Sequence, residues 1–274
     1  MSVASNQSRS QVERYAPFVE SDPNQSADEL RATLDQQSYL FFRRLVPADK
    51  VLTVRRDVLE LCREAGWLDA SHDVMEAVVR ADVTPTTEGQ PDYMAMYRQL
   101  LRVPSFRAFP AQPVLLDIAR KLLQGEVLAH PRRIGRVTFP NNVVATVPPH
   151  QDYYYIRGAV ETYTCWAPLG ACSMQLGGLA VWPGSHRRGY LDHNVHSPGA
   201  VGGCGIAIDE PEIEWHTSDY GVGDVLFFHS HSVHKALPNL SGDRLRLSTD
   251  NRYQRGDDAI EPGSLRQHFG FDDE

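Results

Sequence analysis

The sequence predicts a mainly β protein with helices gathered ahead of the sheet: a helical N-terminal part buttressing a C-terminal antiparallel β-domain, folded as one unit. Up to about residue 125, apolar residues recur at spacings of three and four, the period of amphipathic helices. Beyond Gly125 they fall in short runs or alternate, punctuated by Gly, Pro and Asn pairs, the texture of many short strands. The 274 residues, with 42% hydrophobic and 23% charged, have an ordinary globular composition and suffice for a real core.

Taken in order, residues 1–25 are rich in Ser, Asn and Gln without periodicity and predict a loose arm. A helix is predicted over 49–65, where Val51, Val54, Val58, Leu61, Cys62 and Ala65 form one stripe, Asp49 caps the start and Gly66 ends it. Two shorter helices, 71–80 and 93–101, flank the turn-rich VTPTTEGQPD, a loop placed to border a pocket. A further helix over 113–124 has Pro in its first turn and Gly125 past its end. Strands are then expected at 136–139, 143–147, 163–169, 179–182, 206–208, 225–228 and 245–253, which together predict a sandwich or barrel. One domain, 1–274, results: a helical part over 26–125, a β core over 126–255 and a tail over 256–274.

Lys and Arg number 27 against 35 Asp and Glu, a net charge of −8. Such a surface repels phosphate backbones and anionic lipid, so neither nucleic acid nor membrane is an expected partner. Cys62, Cys165, Cys172 and Cys204 lack C-x-x-C spacing and read as reduced thiols. The polar N-terminus, the lack of any bilayer-length apolar stretch and a C-terminal FDDE in place of a peroxisomal address point to the cytoplasm.

The chemistry centres on PPHQDYYYIRG, residues 148–158. On an extended backbone, His150 and Asp152 leave the chain on one side, because side chains alternate with a period of two. Further on, a strand rich in Val, Leu and Phe delivers His229, His231 and His234. Two His and one carboxylate on a face, with other positions open, is the arrangement that holds non-haem Fe(II) for oxygen chemistry. Arg246 and Ser248 then share a strand face suited to gripping a dicarboxylate through a charge-assisted pair. Arg244 has the same parity and competes for that role, although only Arg246 has a Ser two residues on.

The HQD triplet, GGLAVWPGSHRRG and the GDVLFF…VHKALPNLSGDRLRLS block resemble the phytanoyl-CoA dioxygenase family of Fe(II)- and 2-oxoglutarate-dependent oxygenases, over roughly residues 35–255. The resemblance implies a double-stranded β-helix, a cupin-like jelly roll buttressed by α-helices. It also implies iron ligands His150, Asp152 and His234, since His234 directly precedes the PN-x-S turn and the Arg strand. The co-substrate arginine falls in the 244–246 window, and Trp166 or Thr164 beside 2-oxoglutarate. The implied activity is hydroxylation of a small-molecule metabolite by O2 and 2-oxoglutarate, releasing succinate and CO2. Desaturation, ring closure or epoxidation would use the same ligands. The carboxylate at 152 disfavours halogenation, for which halogenating relatives carry a small residue there.

Other readings stand beside these. His229 and His231 pack or donate hydrogen bonds near the site, and His186 finishes a tight turn. Tyr153, Tyr154 and Tyr155 line the substrate pocket or serve as core, and Tyr97, with Tyr93, Met96 and Gln99, forms a lid or packs. The rival functions are a cupin-like metal enzyme that does without 2-oxoglutarate, and a non-catalytic β-sandwich that binds a ligand.

Overall fold

The computed structural model describes residues 13–196, 204–210 and 212–270. In chain order the elements are β1 (Arg14–Ala16), α1 (Ala27–Gln37), β2 (Tyr39–Phe42), α2 (Ala48–Glu64), α3 (Pro91–Leu100), α4 (Pro104–Ala108) and α5 (Pro113–Leu123). There follow β3 (Val127–Ala129), β4 (Ile134–Thr138), α6 (Tyr153–Ile156), β5 (Tyr163–Pro168), β6 (Leu179–Val181), β7 (Val195–His196) and β8 (Cys204–Gly205). The chain continues through β9 (Glu214–His216), β10 (Val225–His229), β11 (His234–Ala236) and β12 (Arg246–Arg255).

Apart from a separate β7–β8 ribbon, the strands form an open two-sheet jelly roll. A major sheet runs β2-β10-β5-β12-β3, with β4 also paired to β12, and a smaller sheet runs β1-β9-β6-β11. Alternation on the major sheet sorts residues cleanly. Leu40, Phe42, Cys165, Ala167, Val225, Phe227, Leu247 and Tyr253 pack outward into one core with α1 to α5. Tyr39, Phe41, Trp166, Leu226 and Phe228 point inward and meet Leu179, Val181 and Ala236 of the smaller sheet. The helices therefore back one sheet, and the site lies between the sheets.

The predicted helices over 49–65, 93–101 and 113–124 appear as α2, α3 and α5. The cap of α2 is Pro47, with Asp49 in the first turn, and α5 closes on Gln124 at a φ of 51°. Four expectations are corrected. Over 71–80 only a single turn, Val74–Glu76, forms. Asp69 and Asp73 side chains accept from the Ser71 and Met75 backbone N–H, which competes with helix propagation, while Val78 and Val79 bridge to Arg244 and Leu68. Residues 143–147 form a turn at Val143–Ala145 with Val143 and Val144 exposed; Asn141 at a φ of 58° and the following Pro148-Pro149 pair, which lacks backbone donors, prevent a ladder. The expected strand at 206–208 is replaced by β8, paired with β7. The arm is not loose from residue 14 onward: β1 pairs in parallel with β9, whereas residues 1–12 lie outside the described part.

Several elements went unpredicted, α1 and β2 among them. Ser26 and Glu29 form a reciprocal capping box at the start of α1. Ser38, at a φ of 66°, ends it and turns the chain straight into β2, whose four residues are all buried because both faces are covered. Among the described residues no helix is long and apolar enough to cross a membrane.

Candidate metal centre and co-substrate pocket

His150 and His234 face one another across an isolated antiparallel bridge. Each backbone N–H donates to the other's carbonyl, at 3.0 and 3.1 Å, and the ring centroids are 4.2 Å apart. Each Nδ1 donates to the carbonyl two residues earlier: His150 to Pro148 at 2.8 Å and His234 to Ser232 at 3.0 Å. That fixes both tautomers and leaves both Nε2 atoms as lone-pair donors toward a shared point. Burial, then the neighbouring His234, holds the His150 pKa well below its usual value, and burial also lowers that of His234. Both imidazoles are thereby kept in the neutral, ligating form.

Asp152 supplies the third donor, with Oδ1 3.9 Å from His150 Nε2 and 4.0 Å from His234 Nε2. Among the described residues this trio is the one group of His, Cys, Asp and Glu whose ligand atoms converge, all within 4.8 Å. The route differs from strand alternation. Asp152 has helical angles, φ −61° and ψ −28°, and precedes α6, so a strand-to-helix turn brings the carboxylate round to the imidazoles.

Burial alone would raise the Asp152 pKa, but the Arg252 guanidinium, by its charge and its hydrogen bonds, outweighs it and holds the carboxyl below its usual range. Arg252 donates from Nη2 to Oδ1 at 3.1 Å and from Nε to Oδ2 at 3.3 Å, and Thr164 also donates to Oδ2.

Gln151, between the two ligands, is fully buried and fully bonded. Its Nε2 donates to the carbonyls of His231 at 2.7 Å and Gly189 at 2.8 Å, and its Oε1 accepts from Leu191 N–H at 2.8 Å. His193 Nε2 accepts from the Gln151 backbone at 2.9 Å. One amide thus ties the first ligand pair to the loop that carries the distal His.

A cavity adjoins the trio, walled by Val147, Trp166, Leu179, Phe228 and Ala236 and by Arg136, Arg246 and Asp250. Arg246 is buried; its Nη1 donates to Ser248 Oγ at 2.7 Å, while its Nε has no partner, nor has Trp166 Nε1. Two orphaned donors in one buried pocket, one of them cationic, call for an anionic acceptor. Burial lowers the Arg246 pKa, as expected of a cation short of counter-charge. A second space shares Arg136, Val147, Ala236 and Arg246 and opens between Thr86–Glu88 and Asn142–Val147. The VTPTTEGQPD loop thus borders a pocket.

Sequence reasoning missed Arg252, Arg136, Asp250 and Glu88. Arg136 bridges Asp250 at 2.9 Å and Glu88 at 3.2 Å. A signal existed: Arg246, Ser248, Asp250 and Arg252 alternate along β12, a polar row inside a buried strand.

The remaining predicted residues are dispersed. Arg244 precedes β12, outside the regular alternation, and its half-exposed side chain lies 3.8 Å from Asp243, away from the cavity. Tyr97 is not at the mouth: it is fully buried, bonded to Gly135 N–H and to His268, while Tyr93 lines the second space. Tyr155 packs edge-on to His150 at 5.7 Å, whereas Tyr153 packs on His231 and Tyr190, and Tyr154 stacks on His193. His229 approaches Glu161 at 3.6 Å, and neither it nor His231 joins the trio.

This fold with this convergent donor set defines the chain's class. Residues 34–247 match the phytanoyl-CoA dioxygenase (PhyH) family, and the chain belongs to it. It is 38% identical over 127 residues to a 1-deoxypentalenic acid 11-beta-hydroxylase of Streptomyces arenae, covering 42% of this chain and 45% of that protein. The Streptomyces exfoliatus counterpart is 35% identical over 130 residues, with the same coverage. The chain thus spans under half the length of these curated relatives. Among solved structures, the epimerase SnoN, in complex with Fe3+, alpha ketoglutarate and nogalamycin RO, aligns with a TM-score of 0.64 at 18% identity, covering 90% of this chain and 92% of SnoN. EctD from S. alaskensis aligns at 0.57 and 19% identity, covering 94% and 92%. Both show the same fold.

Proposed function

We propose that the protein is a non-haem Fe(II)- and 2-oxoglutarate-dependent oxygenase that hydroxylates an unactivated C–H of a small carboxylic acid in a biosynthetic pathway. The observation that carries the reading is the convergence of His150, Asp152 and His234 beside the partnerless Nε of Arg246. Two neutral imidazoles and a carboxylate match the preference of Fe(II) for mixed nitrogen and oxygen donors. Bound iron and 2-oxoglutarate would supply the oxidant, with 2-oxoglutarate and O2 leaving as succinate, CO2 and the hydroxyl of the product. The substrate class follows the Streptomyces hydroxylases, whose named substrate is an acid.

The chain's own residues bind, orient and exclude. Arg246 and Ser248 hold the distal carboxylate of 2-oxoglutarate, and Trp166 N–H lies on the same wall. Val147, Leu179, Phe228 and Ala236 keep the pocket apolar, which excludes water and strengthens the polar contacts inside. Substrate enters between the 86–88 and 142–147 loops, with Arg136 at hand, and Tyr155 flanks the ligand His150. The four unpaired thiols suit a cytoplasmic location.

The test is Fe(II)-dependent succinate formation from 2-oxoglutarate, with 1-deoxypentalenic acid as the first candidate substrate. Product hydroxylation coupled to succinate supports the whole reading. Turnover that persists without 2-oxoglutarate, or in Arg246→Ala, would sink it. Succinate formation that responds only to non-acidic candidates would keep the oxygenase and discard the acid.

A further inference from the structure

Arg252 and Thr164 sit directly opposite one another on β12 and β5, and both reach the same carboxylate. Thr164 Oγ1 donates to Asp152 Oδ2, and Arg252 Nε donates to that oxygen at 3.3 Å. Oδ1 is the oxygen that faces the imidazoles, and of the two residues only Arg252 reaches it, through Nη2 at 3.1 Å. The two oxygens are therefore inequivalent: one is aimed at the point shared by the imidazoles, the other turned into the protein and capped by two donors. All three side chains are buried.

We propose that Arg252 and Thr164 are positioning residues that keep Asp152 a one-oxygen ligand, so that the ion retains the positions needed by 2-oxoglutarate and oxygen. This inference rests on the iron site proposed above. A carboxylate with both oxygens free can chelate a divalent cation and occupy a further position. Here the Thr164 hydroxyl and Arg252 Nε compete with the ion for Oδ2, while Arg252 Nη2 steadies Oδ1, in a low-dielectric setting where charge-assisted hydrogen bonds are strong. The cross-strand register supplies both donors at once, which a loop would do less rigidly.

The test uses the full chain as wild type, Thr164→Val, Thr164→Ser and Arg252→Gln, under anaerobic conditions. Thermal midpoints of the metal-free proteins report folding. Chelator competition reports Fe(II) affinity, and the visible band of a keto acid chelated to Fe(II) reports 2-oxoglutarate affinity. Thr164→Val should keep Fe(II) yet bind 2-oxoglutarate about 10- to 100-fold more weakly, in the range seen when groups behind a metal ligand are removed. Thr164→Ser should recover most of that loss, and X-ray absorption of Thr164→Val should report an added metal–oxygen contact. Folded variants with unchanged 2-oxoglutarate affinity and unchanged metal coordination would overturn the proposal. If Arg252→Gln does not fold, Thr164→Val decides alone, because it matches the shape of Thr and leaves the Arg252–Asp152 pair in place. A wild-type protein that takes up no Fe(II), or shows no keto-acid band, overturns the iron reading and this inference with it.

Discussion

The two faces of strand β12 obey different rules. On the face toward the helices, Leu247 and Tyr253 join the apolar core on either side of the buried, mutually bonded Thr249 and Asn251, and volume and close packing decide what fits. On the other, Arg246, Ser248, Asp250 and Arg252 are equally buried, yet what decides there is whether each polar group finds a partner. Changes on the first face should alter how much protein is folded and leave binding intact, whereas changes on the second should alter what the folded protein binds and cost stability where they strand a buried charge.

The largest expected effect is on the inner face. Asp152→Ala and His234→Ala should both abolish Fe(II) uptake and succinate formation, read by metal analysis and product assay. They should part in stability. Asp152→Ala strands the buried Arg252 charge and should cost about 3–5 kcal/mol in urea unfolding of the metal-free protein. His234→Ala removes a neutral imidazole and strands no charge. Equal destabilisation by the two would mean that the Arg252–Asp152 pair is not the main electrostatic contact of the site. The outer face supplies the counterpart: Phe227→Ala should lose about 3–5 kcal/mol of stability while the folded fraction keeps wild-type 2-oxoglutarate affinity.

A gentler test separates two arginines that lie two residues apart. Arg246→Gln should weaken 2-oxoglutarate binding by about 30-fold or more, corresponding to the roughly 2 kcal/mol or more lost when a buried charged partner is truncated. Arg244→Ala should change neither binding nor stability by more than about 0.5 kcal/mol, the usual range for a surface substitution. Titration of each variant with 2-oxoglutarate checks both; a loss on Arg244→Ala equal to that on Arg246→Gln would place the co-substrate elsewhere.

Those arginines also show what was legible in the sequence. Strand parity put Arg246 and Ser248 on one face, where the structure has them, and periodicity found α2, α3 and α5, because a single buried face leaves a regular pattern. Parity could not separate Arg244 from Arg246, since where a strand begins is set by pairing partners: here Val78 bridges Arg244 before β12 starts. The trio's residues were legible but not their geometry, because Asp152 arrives through a helical turn. β2 was missed since a strand covered on both faces has no alternation to read. The polar alternation along β12 marked the face that carries Arg252, but its partner lies 100 residues away and no local pattern names it.

The smallest effect concerns a histidine outside the trio. His231 is buried, its Nε2 has no partner, and its ring neighbours are His229 at 5.5 Å, Tyr153 at 4.8 Å and Tyr190 at 6.5 Å. Burial, then the nearby His229 and His186, lowers its pKa to about 4, with Glu161 opposing weakly. A histidine whose folded pKa lies below its unfolded value of about 6.5 takes up its proton more readily when unfolded. Its share of stability is therefore present above that value and is lost as pH falls from about 6.5 toward about 4. Urea unfolding of the metal-free protein at several pH values should show wild type losing stability more steeply than His231→Asn across that window. His150 and His234 contribute equally to both proteins, so the difference in slope isolates His231. Parallel curves would show that the three-histidine cluster relaxes on protonation and that this inner-face neighbourhood tolerates charge, unlike the site beside it.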